Sequence, residues 1–364
     1  MQNERSLAHI WNLQAMHLEL TLRCNLRCVY CAINEDTHQH IDMPFEAMEQ
    51  AVDFIIAARP GIVCVSGGGE STLLDNWYEI CDRLLAADIN LHIISNFAKR
   101  FSDVEIDTLS RFYSIQISID TPDEVLLAAT RKKVDFRTIV TNIVKINQRA
   151  LANVTHGKTR KLPILTFCAA IYDKNISHLE SLLKLAAMLN IRGITLNTLL
   201  ENSLQPSAKI KNLAHLAEED KLKAQQYLND CLQLAERLNI NIELTSGLKD
   251  AVFGKEKNIN TLSNFVVRPK KDETRFCSYP WSFLYITADR QIRPCPSGIP
   301  HEIGTFLGQS LTEIMSGDAM FKLRTELLTG ELGLCRDCHA RPLIKIDQYH
   351  QAMESYLNNL LNGS

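Results

Sequence analysis

Alternation between short β-like runs and longer amphipathic runs is the feature that most limits what this chain can fold into. The β-like runs are mostly apolar, and segments with helical periodicity separate them, beginning at 44–58, where Pro44 suits a first helical turn. Apolar strands joined by helices predict a parallel sheet covered by helices. Six such strands fit an open doubly wound sheet or a partial barrel, and periodicity alone does not choose. The runs are 16–22, 61–66, 90–95, 114–119, 163–171 and 193–197.

Charge and hydropathy exclude several classes of partner. The net charge of −3 gives no electrostatic basis for binding DNA, RNA or an anionic membrane. No apolar run reaches the roughly 20 residues that a membrane span needs. The N-terminus lacks the apolar h-region of a signal peptide. We therefore expect a cytoplasmic protein that binds neither nucleic acid nor membrane.

The chain contains 11 cysteines, and they are unevenly distributed. In a reducing compartment, clustered thiols are interpreted first as metal ligands. Cys24, Cys28 and Cys31 have the spacing C-x3-C-x2-C and follow the first predicted strand, at the edge where parallel α/β folds bind ligands. Three thiolates can hold three irons of a cubane and leave the fourth iron open. The alternative is a zinc site completed by His38 or His40.

This cysteine motif and three further strand-end motifs resemble the radical S-adenosylmethionine (radical SAM) superfamily. The motifs are C-N-L-R-C-V-Y-C at 24–31, V-S-G-G-G-E-S at 65–71, S-N-F at 95–97 and S-I-D at 118–120. They follow successive predicted strands in the order that the family shows. The chain departs from the family at Ser71, where proline is usual, and at Phe97, where glycine is common.

The resemblance implies a [4Fe-4S] cluster with three cysteine ligands, whose open iron chelates the amine and carboxylate of S-adenosylmethionine. One electron would then cleave the cofactor to methionine and a 5′-deoxyadenosyl radical, which abstracts a substrate hydrogen. The protein would supply positioning and a dry pocket, and an electron donor such as flavodoxin or ferredoxin would be a partner. The residues expected to contact the cofactor are Tyr30, Gly68, Gly69, Glu70, Asn96, Ser118 and Asp120.

Cys277, Cys295, Cys335 and Cys338 form a second group, and the last two are spaced as C-x-x-C. Four thiolates can close a tetrahedral site, and chemistry alone allows either structural zinc or a four-thiolate cluster. The order of Cys277, a hairpin, Cys295 and C-x-x-C resembles the Twitch module, a shorter relative of the SPASM domain. The resemblance implies one auxiliary [4Fe-4S] cluster with four cysteine ligands. Arg290 stands where the hairpin of that family usually has glycine.

The same resemblance implies the architecture. We expect an α/β fold in which a partial (β/α)6 TIM-type barrel precedes a Twitch- or SPASM-like domain, built of a β-hairpin and a helix around the auxiliary cluster. The expected parts are an N-terminal lead at 1–14, the radical SAM core at 15–205, a helical linker at 206–269, the auxiliary-cluster domain at 270–345 and a C-terminal helix at 346–364.

The expected reaction removes hydrogen from a small molecule. The cysteine layout resembles that of radical dehydrogenases acting on an aminocyclitol, in which the auxiliary cluster accepts an electron, so oxidation of a sugar or aminocyclitol is expected. Related modules occur in epimerases, which need a hydrogen donor, and Cys168 on the fifth strand is the candidate. Asn197, Glu201 and Asn202 are candidates for polar contacts with the substrate.

Two other functions stay open. Related modules also cross-link or epimerise ribosomal peptides, and the lead of 23 residues before Cys24 is too short for a fused peptide-recognition domain. That favours a small molecule unless a separate protein recognises the peptide. A non-enzymatic iron–sulfur or zinc protein is the remaining alternative, and it leaves the Gly-Gly-Glu and S-I-D motifs unexplained.

Overall fold

The computed structural model of the chain describes residues 2–31, 41–199, 204–205, 208–254, 270–296, 302–338 and 341–362. His38, His40, Glu201 and Asn202, which were considered as ligands or substrate contacts, lie outside the described residues. All other site residues named from the sequence lie within these ranges.

The strands are short and are numbered here in chain order. Strands β1 to β13 are Ala15–Leu18, Arg27–Cys28, Ile62–Val65, Leu91–Ser95, Ser114–Ser118, Arg131–Lys132, Ile164–Ile171, Gly193–Thr198, Asn241–Leu244, Glu273–Arg275, Phe283–Ile286, Ile292–Arg293 and Leu343–Lys345. The six predicted β-like runs correspond to β1, β3, β4, β5, β7 and β8.

The helices connect and cover these strands. Helices α1 to α13 are Gln2–His9, Phe45–Ala58, Trp77–Ala86, Asp103–Leu109, Glu124–Thr130, Phe136–Thr155, Leu179–Met188, Glu218–Leu238, Ser246–Phe253, Tyr279–Ser282, Leu311–Met315, Asp318–Thr329 and Ile346–Asn362. Ser102 and Ser310 form capping boxes that satisfy free backbone N–H groups at the starts of α4 and α11. Among the described residues, no helix combines the length and apolar character needed to cross a membrane.

One sheet of nine strands organises the molecule, in the order β12-β11-β1-β3-β4-β5-β7-β8-β9. Strands β11 and β12 pair antiparallel, and all other neighbours in this sheet pair parallel. Within the described ranges, no pairing joins β12 to β9, so the sheet does not close into a full barrel. The predicted α/β fold with a partial TIM-type barrel is confirmed.

The two faces of the sheet have different surroundings. On β7, Phe167 and Ala169 are fully buried in the main core, which they share with the covering helices. Cys168 lies between them in sequence and therefore points to the opposite side, where it is only half-buried. Strand pairing sets Ser118, Cys168 and Thr195 side by side on that side. We call the side of the sheet away from the covering helices the barrel face.

The sheet extends beyond the six predicted strands at both edges. Strand β9 comes from the segment expected to be a helical linker, and it pairs with β8. Strand β11 comes from the expected auxiliary-cluster domain, and it pairs with β1, placing Leu18 opposite Ile286. Both additions cover backbone N–H and C=O groups that would otherwise form exposed strand edges. The proposed domain boundaries remain a prediction.

Arg324 on α12 connects the helices around a second, smaller hydrophobic core, which lies among α1, α10, α12 and α13. Its buried guanidinium donates to the carbonyl oxygens of Pro280, Ala8 and Met315 at 2.8–3.0 Å. It also lies 5.9 Å from the ring centroid of Trp281. Burial lowers the pKa of Arg324 to about 10, so the side chain stays charged at neutral pH. We interpret it as a structural clamp, because all its hydrogen-bond acceptors are backbone carbonyls.

Phe97 and Arg290, the two residues that replace family glycines, both adopt left-handed backbone conformations. Their φ angles are 56° and 71°. Left-handed backbone is unfavourable for residues other than glycine. Phe97 is fully buried and packs edge-on against Phe101, with ring centroids 5.3 Å apart. Arg290 is exposed at the turn between β11 and β12. Packing therefore compensates the strain at position 97 but not at position 290.

Glycine at these two positions is expected to have opposite effects on stability. Arg290→Gly should raise the free energy of unfolding by up to about 1 kcal/mol, because it relieves strain at an exposed turn. Phe97→Gly should lower it by about 2–4 kcal/mol, because loss of a buried aromatic ring outweighs the same relief. Chemical denaturation of both variants beside the parent protein measures the two signs. Equal effects would contradict this account.

Candidate active site

The three-cysteine loop is anchored by backbone pairing with β6, in a small two-stranded sheet beside the barrel. It follows β1, and its strand β2 pairs antiparallel with β6, so that Cys28 stands opposite Arg131. The N–H of Val29 donates to the carbonyl of Thr130 at 2.9 Å, and the N–H of Cys31 donates to the carbonyl of Cys28 at 3.2 Å. The loop therefore lies at the carboxyl ends of the strands, as predicted.

The three thiols lie close enough to influence one another. Burial raises the pKa of Cys28 to about 12, and the Arg131 guanidinium opposes that rise. Burial also raises the pKa of Cys24, and the neighbouring Cys31 adds to the increase in both groups. Thiols with such pKa values are protonated at neutral pH, so cluster assembly must release their protons.

Tyr30 and Asp120, both expected to contact the cofactor, contact each other. The Tyr30 hydroxyl donates to Oδ2 of Asp120, which also accepts from Nε of Arg131 at 2.8 Å. Oδ1 accepts from Nη2 of Arg131 and from the N–H of Ala170, each at 2.9 Å. Both carboxylate oxygens are thus engaged, and the buried pair holds the cysteine loop against β5 and β7. A direct contact between Asp120 and the cofactor stays a prediction.

Arg131 is a site residue that the sequence did not indicate. It is buried, and its guanidinium carbon lies 5.6 Å from the centroid of the Tyr30 ring. Burial alone would lower the pKa of Arg131, but the Asp120 carboxylate raises it well above the usual range. Arg131 therefore supplies a permanent positive charge beside Cys28, where a cluster would bring negative charge.

Glu70 is held by hydrogen bonds from two strand ends. Oε1 accepts from Oγ1 of Thr72 at 2.7 Å and from Oγ of Ser95 at 2.8 Å. Oε2 accepts from the N–H of Asn96 at 2.8 Å. Burial raises the pKa of the Glu70 carboxyl, and these donors oppose the rise. Glu70 thus joins the glycine loop after β3 to the segment after β4.

The glycine loop and Asn96 both pack on the cysteine loop. A Cβ atom on Gly69 would lie 2.4 Å from the carbonyl oxygen of Arg23, so only glycine fits there. Nδ2 of Asn96 donates to Oδ1 of Asn25 at 2.8 Å and lies 3.7 Å from Sγ of Cys24. The four sequence motifs therefore meet at one edge of the sheet, as expected from their positions at strand ends.

The second cysteine group also converges. Cys277 precedes α10, Cys295 follows β12, and the C-x-x-C pair lies at a 3-10 turn over Gly333–Asp337. Burial raises the pKa of Cys335 to about 12, and the other three thiols of the group add to the rise. Burial likewise raises the pKa of Cys277 to about 11. A set of four thiols suits a fully ligated cluster.

The second group is flanked by Arg341 and by the C-terminal helix. Arg341 lies 4.1 Å from the ring centroid of Tyr279, and its charge opposes the raised pKa of Cys277. The fully buried Tyr349 on α13 donates from its hydroxyl to the carbonyl of Cys277 at 2.5 Å. Helix α13 thus covers the group from one side.

The donor sets of both groups suit iron–sulfur clusters. Among the described residues, no three His, Cys, Asp or Glu side chains are arranged to hold a single metal ion. The assignment of cluster ligands therefore depends on the all-thiol donor sets and on the electrostatic interactions among the thiols of each group. It remains a proposal at the level of individual residues.

Sequence comparison identifies two regions of the chain. The family described as the Radical SAM superfamily matches residues 18–186. The SPASM iron–sulfur cluster-binding domain matches residues 277–339. This chain belongs to the radical SAM superfamily. Membership makes it a radical SAM enzyme and implies S-adenosylmethionine and iron–sulfur clusters as cofactors. No curated protein sequence matches the chain significantly.

Solved structures share the radical SAM and SPASM architecture. SuiB from Streptococcus suis bound to S-adenosylmethionine aligns with a TM-score of 0.63 at 15% identity, over 92% of this chain and 74% of SuiB. SuiB bound to the precursor peptide SuiA aligns with a TM-score of 0.63 at 15% identity, over 93% and 73%. Native anSMEcpe with bound AdoMet aligns with a TM-score of 0.55 at 16% identity, over 96% and 98%. Such identities show the fold alone.

Proposed function

We propose that this radical SAM enzyme removes a hydrogen atom from a small polar molecule, such as a sugar or an aminocyclitol, and thereby oxidises or epimerises it. The observation that carries the proposal is a row of polar groups beside the site, formed by Ser118, Cys168, Thr195 and Asn197, and the Thr195 hydroxyl donates to the neighbouring Glu243 carboxylate at 3.2 Å. Hydroxyl, thiol and amide groups match a ligand that is rich in hydroxyl groups, and the carboxylate suits the amino group of an aminocyclitol.

The residues at the sheet edge would hold the cofactors. Cys24, Cys28 and Cys31 are the ligands assigned to the first cluster, and the loop at 68–70 is assigned to the amine of S-adenosylmethionine. When both are bound, the first cluster and S-adenosylmethionine together supply a 5′-deoxyadenosyl radical. The Tyr30–Asp120–Arg131 and Glu70 hydrogen bonds keep the two loops in register with the barrel face, where the substrate would lie.

Oxidation of a secondary alcohol requires the substrate to lose a hydrogen atom from the carbon, a proton from its hydroxyl oxygen and one electron. The C–H bond breaks and its hydrogen atom leaves, and the hydroxyl-bearing carbon radical then gives up a proton and one electron to become a ketone. A fully ligated cluster at Cys277, Cys295, Cys335 and Cys338 would supply an electron acceptor when bound.

Epimerisation instead requires that a hydrogen atom return to the opposite face of the substrate, and Cys168 is the candidate donor. Burial raises the pKa of Cys168, so its sulfur keeps the S–H bond at neutral pH. Nδ2 of Asn197 lies 3.2 Å from the sulfur and orients it. Transfer of the hydrogen leaves a thiyl radical, which one electron from a flavodoxin or ferredoxin and one proton from solvent convert back to the thiol.

Cys168→Ala separates the two reactions. Reduced enzyme is incubated in D2O with a panel of aminocyclitols and amino sugars, and 5′-deoxyadenosine and product are measured. An epimerase should still form 5′-deoxyadenosine but lose at least about 100-fold in epimer and in deuterium taken up from solvent. A dehydrogenase should keep its kcat within about twofold, because its chemistry needs no thiol, although loss of a polar group beside the substrate should raise KM. Cys231→Ala, a control in a buried helix position outside the barrel face, should leave both constants within about twofold. The proposal fails if no panel member raises 5′-deoxyadenosine above background.

Peptide modification is the second candidate. It is favoured by the shared fold with SuiB, whose structure has been solved with its precursor peptide SuiA. The same assay tests it with short peptides in place of the sugar panel. Stimulation of 5′-deoxyadenosine formation by a peptide and by no sugar or aminocyclitol would replace the first proposal with this one.

A further inference from the structure

Glu19 is a buried carboxylate that lies between the glycine loop and the hairpin formed by β11 and β12. It follows β1, and only 6% of its surface is exposed. Oε1 accepts from the N–H of Gly68 at 2.6 Å and from the hydroxyl of Tyr285 at 2.8 Å. Oε2 accepts from the N–H of Ala288 at 3.1 Å. One donor belongs to the glycine loop, and the other two belong to the hairpin formed by β11 and β12.

The glycine loop rests directly on this side chain. A Cβ atom on Gly67 would lie 2.4 Å from Cγ of Glu19, which is too close for any residue larger than glycine. Position 67 must therefore be glycine for the loop to reach the carboxylate. The loop cannot move toward β1 without displacing Glu19, and the Gly68 hydrogen bond opposes movement away from it.

Glu19 is also joined to the hairpin through its backbone. The N–H of Glu19 donates to the carbonyl of Ile286 at 2.9 Å, continuing the pairing of β1 with β11. The hairpin then turns at Arg290, and β12 leads to Cys295 two residues after it ends. A shift of the hairpin that leads to Cys295 would therefore move the Glu19 side chain and, through its Oε1, displace Gly68.

We propose that Glu19 is a positioning residue that couples S-adenosylmethionine binding at the glycine loop to the position of the hairpin formed by β11 and β12, which leads to Cys295. The inference depends on the proposed role of residues 68–70 in holding the cofactor. A carboxylate held by donors from both sides presents Gly68 in one position, whereas a carboxylate without its hairpin donors is free to rotate. Coupling between sites is reciprocal. Binding of S-adenosylmethionine should therefore favour, by the same free energy, the hairpin position in which Tyr285 and Ala288 donate to Glu19.

Tyr285→Phe tests the coupling, because it removes one donor to Glu19 and keeps the aromatic ring. The dissociation constant for S-adenosylmethionine is measured by anaerobic equilibrium dialysis on protein with both clusters, with iron counted on the same samples. We expect about fivefold weaker binding for Tyr285→Phe and about tenfold weaker binding for Glu19→Gln, at unchanged iron content. Tyr113→Phe is the matched control, because half of that side chain is exposed, and it should bind as the parent does.

A double-variant cycle separates coupling from a purely structural effect. Cys295→Ala should weaken cofactor binding in the parent by about threefold or more, but should weaken it no further once Tyr285→Phe is present. Additive effects, or binding by Tyr285→Phe within twofold of the parent, would overturn the coupling. Failure of the parent itself to bind S-adenosylmethionine would instead refute the proposed function, so the two failures are distinguishable.

Discussion

Cys28→Ala is expected to abolish 5′-deoxyadenosine formation while the protein keeps about half of its iron. The substitution removes one of the three thiols assigned to the first cluster, so the site for S-adenosylmethionine is lost. The four thiols of the second group lie elsewhere and should still assemble their cluster. Iron, sulfide and 5′-deoxyadenosine are measured on the same anaerobically reconstituted sample. We expect a loss of activity of at least about a thousandfold.

Cys231→Ala is the matched control, because Cys231 is a buried cysteine on α8 that belongs to neither group. Its iron content and activity should equal those of the parent. Full iron content or undiminished cofactor cleavage in Cys28→Ala would show that the cysteine loop has been assigned wrongly.

Asp120→Ala is expected to lower the free energy of unfolding by about 3–5 kcal/mol. The reason is that Arg131 would be left as an unpaired charge in a buried position, having lost both hydrogen bonds to the carboxylate. The Tyr30 hydroxyl would lose its acceptor as well. Since Tyr30 lies between two of the cysteines, we also expect faster loss of iron from the first cluster. Urea denaturation and timed iron release measure the two effects.

Two further variants isolate the buried charge as the cause. Asp120→Ala combined with Arg131→Met should recover much of the lost stability, because no charge is then left unpaired. Asp123→Ala, which removes only the cap of α5, should lower the free energy of unfolding by about 1 kcal/mol. An effect of Asp120→Ala no larger than that of Asp123→Ala would contradict the account.

The strands of the barrel could be predicted because each has a mostly apolar face. The six runs read from the sequence are all present, and the hairpin that turns near Arg290 is confirmed by the pairing of β11 with β12. The pairing of β11 with β1 could not be predicted, since its partners Leu18 and Ile286 are far apart in sequence and nothing local specifies the contact. Strand β9 was missed because its residues are only half-buried or exposed.

The site could be predicted at the level of motifs but not of side-chain partners. The positions of the cysteine loop and of Glu70 follow from strand ends, which meet at one edge of a parallel sheet. The bond between Tyr30 and Asp120 joins residues 90 positions apart and depends on the complete fold. Arg131 carried no sequence signal. Glu19 did, because an acidic residue inside the apolar run M-H-L-E-L-T-L requires a buried partner.

We claim that the cysteine loop carries out radical S-adenosylmethionine chemistry, and cleavage of the cofactor tests this most directly. The parent chain is reconstituted anaerobically with iron and sulfide, reduced with dithionite and incubated with S-adenosylmethionine, and the products are quantified by mass spectrometry. We predict equal amounts of 5′-deoxyadenosine and methionine from protein that holds about eight irons per chain. Intact cofactor, from protein that takes up zinc in place of iron, would contradict the claim.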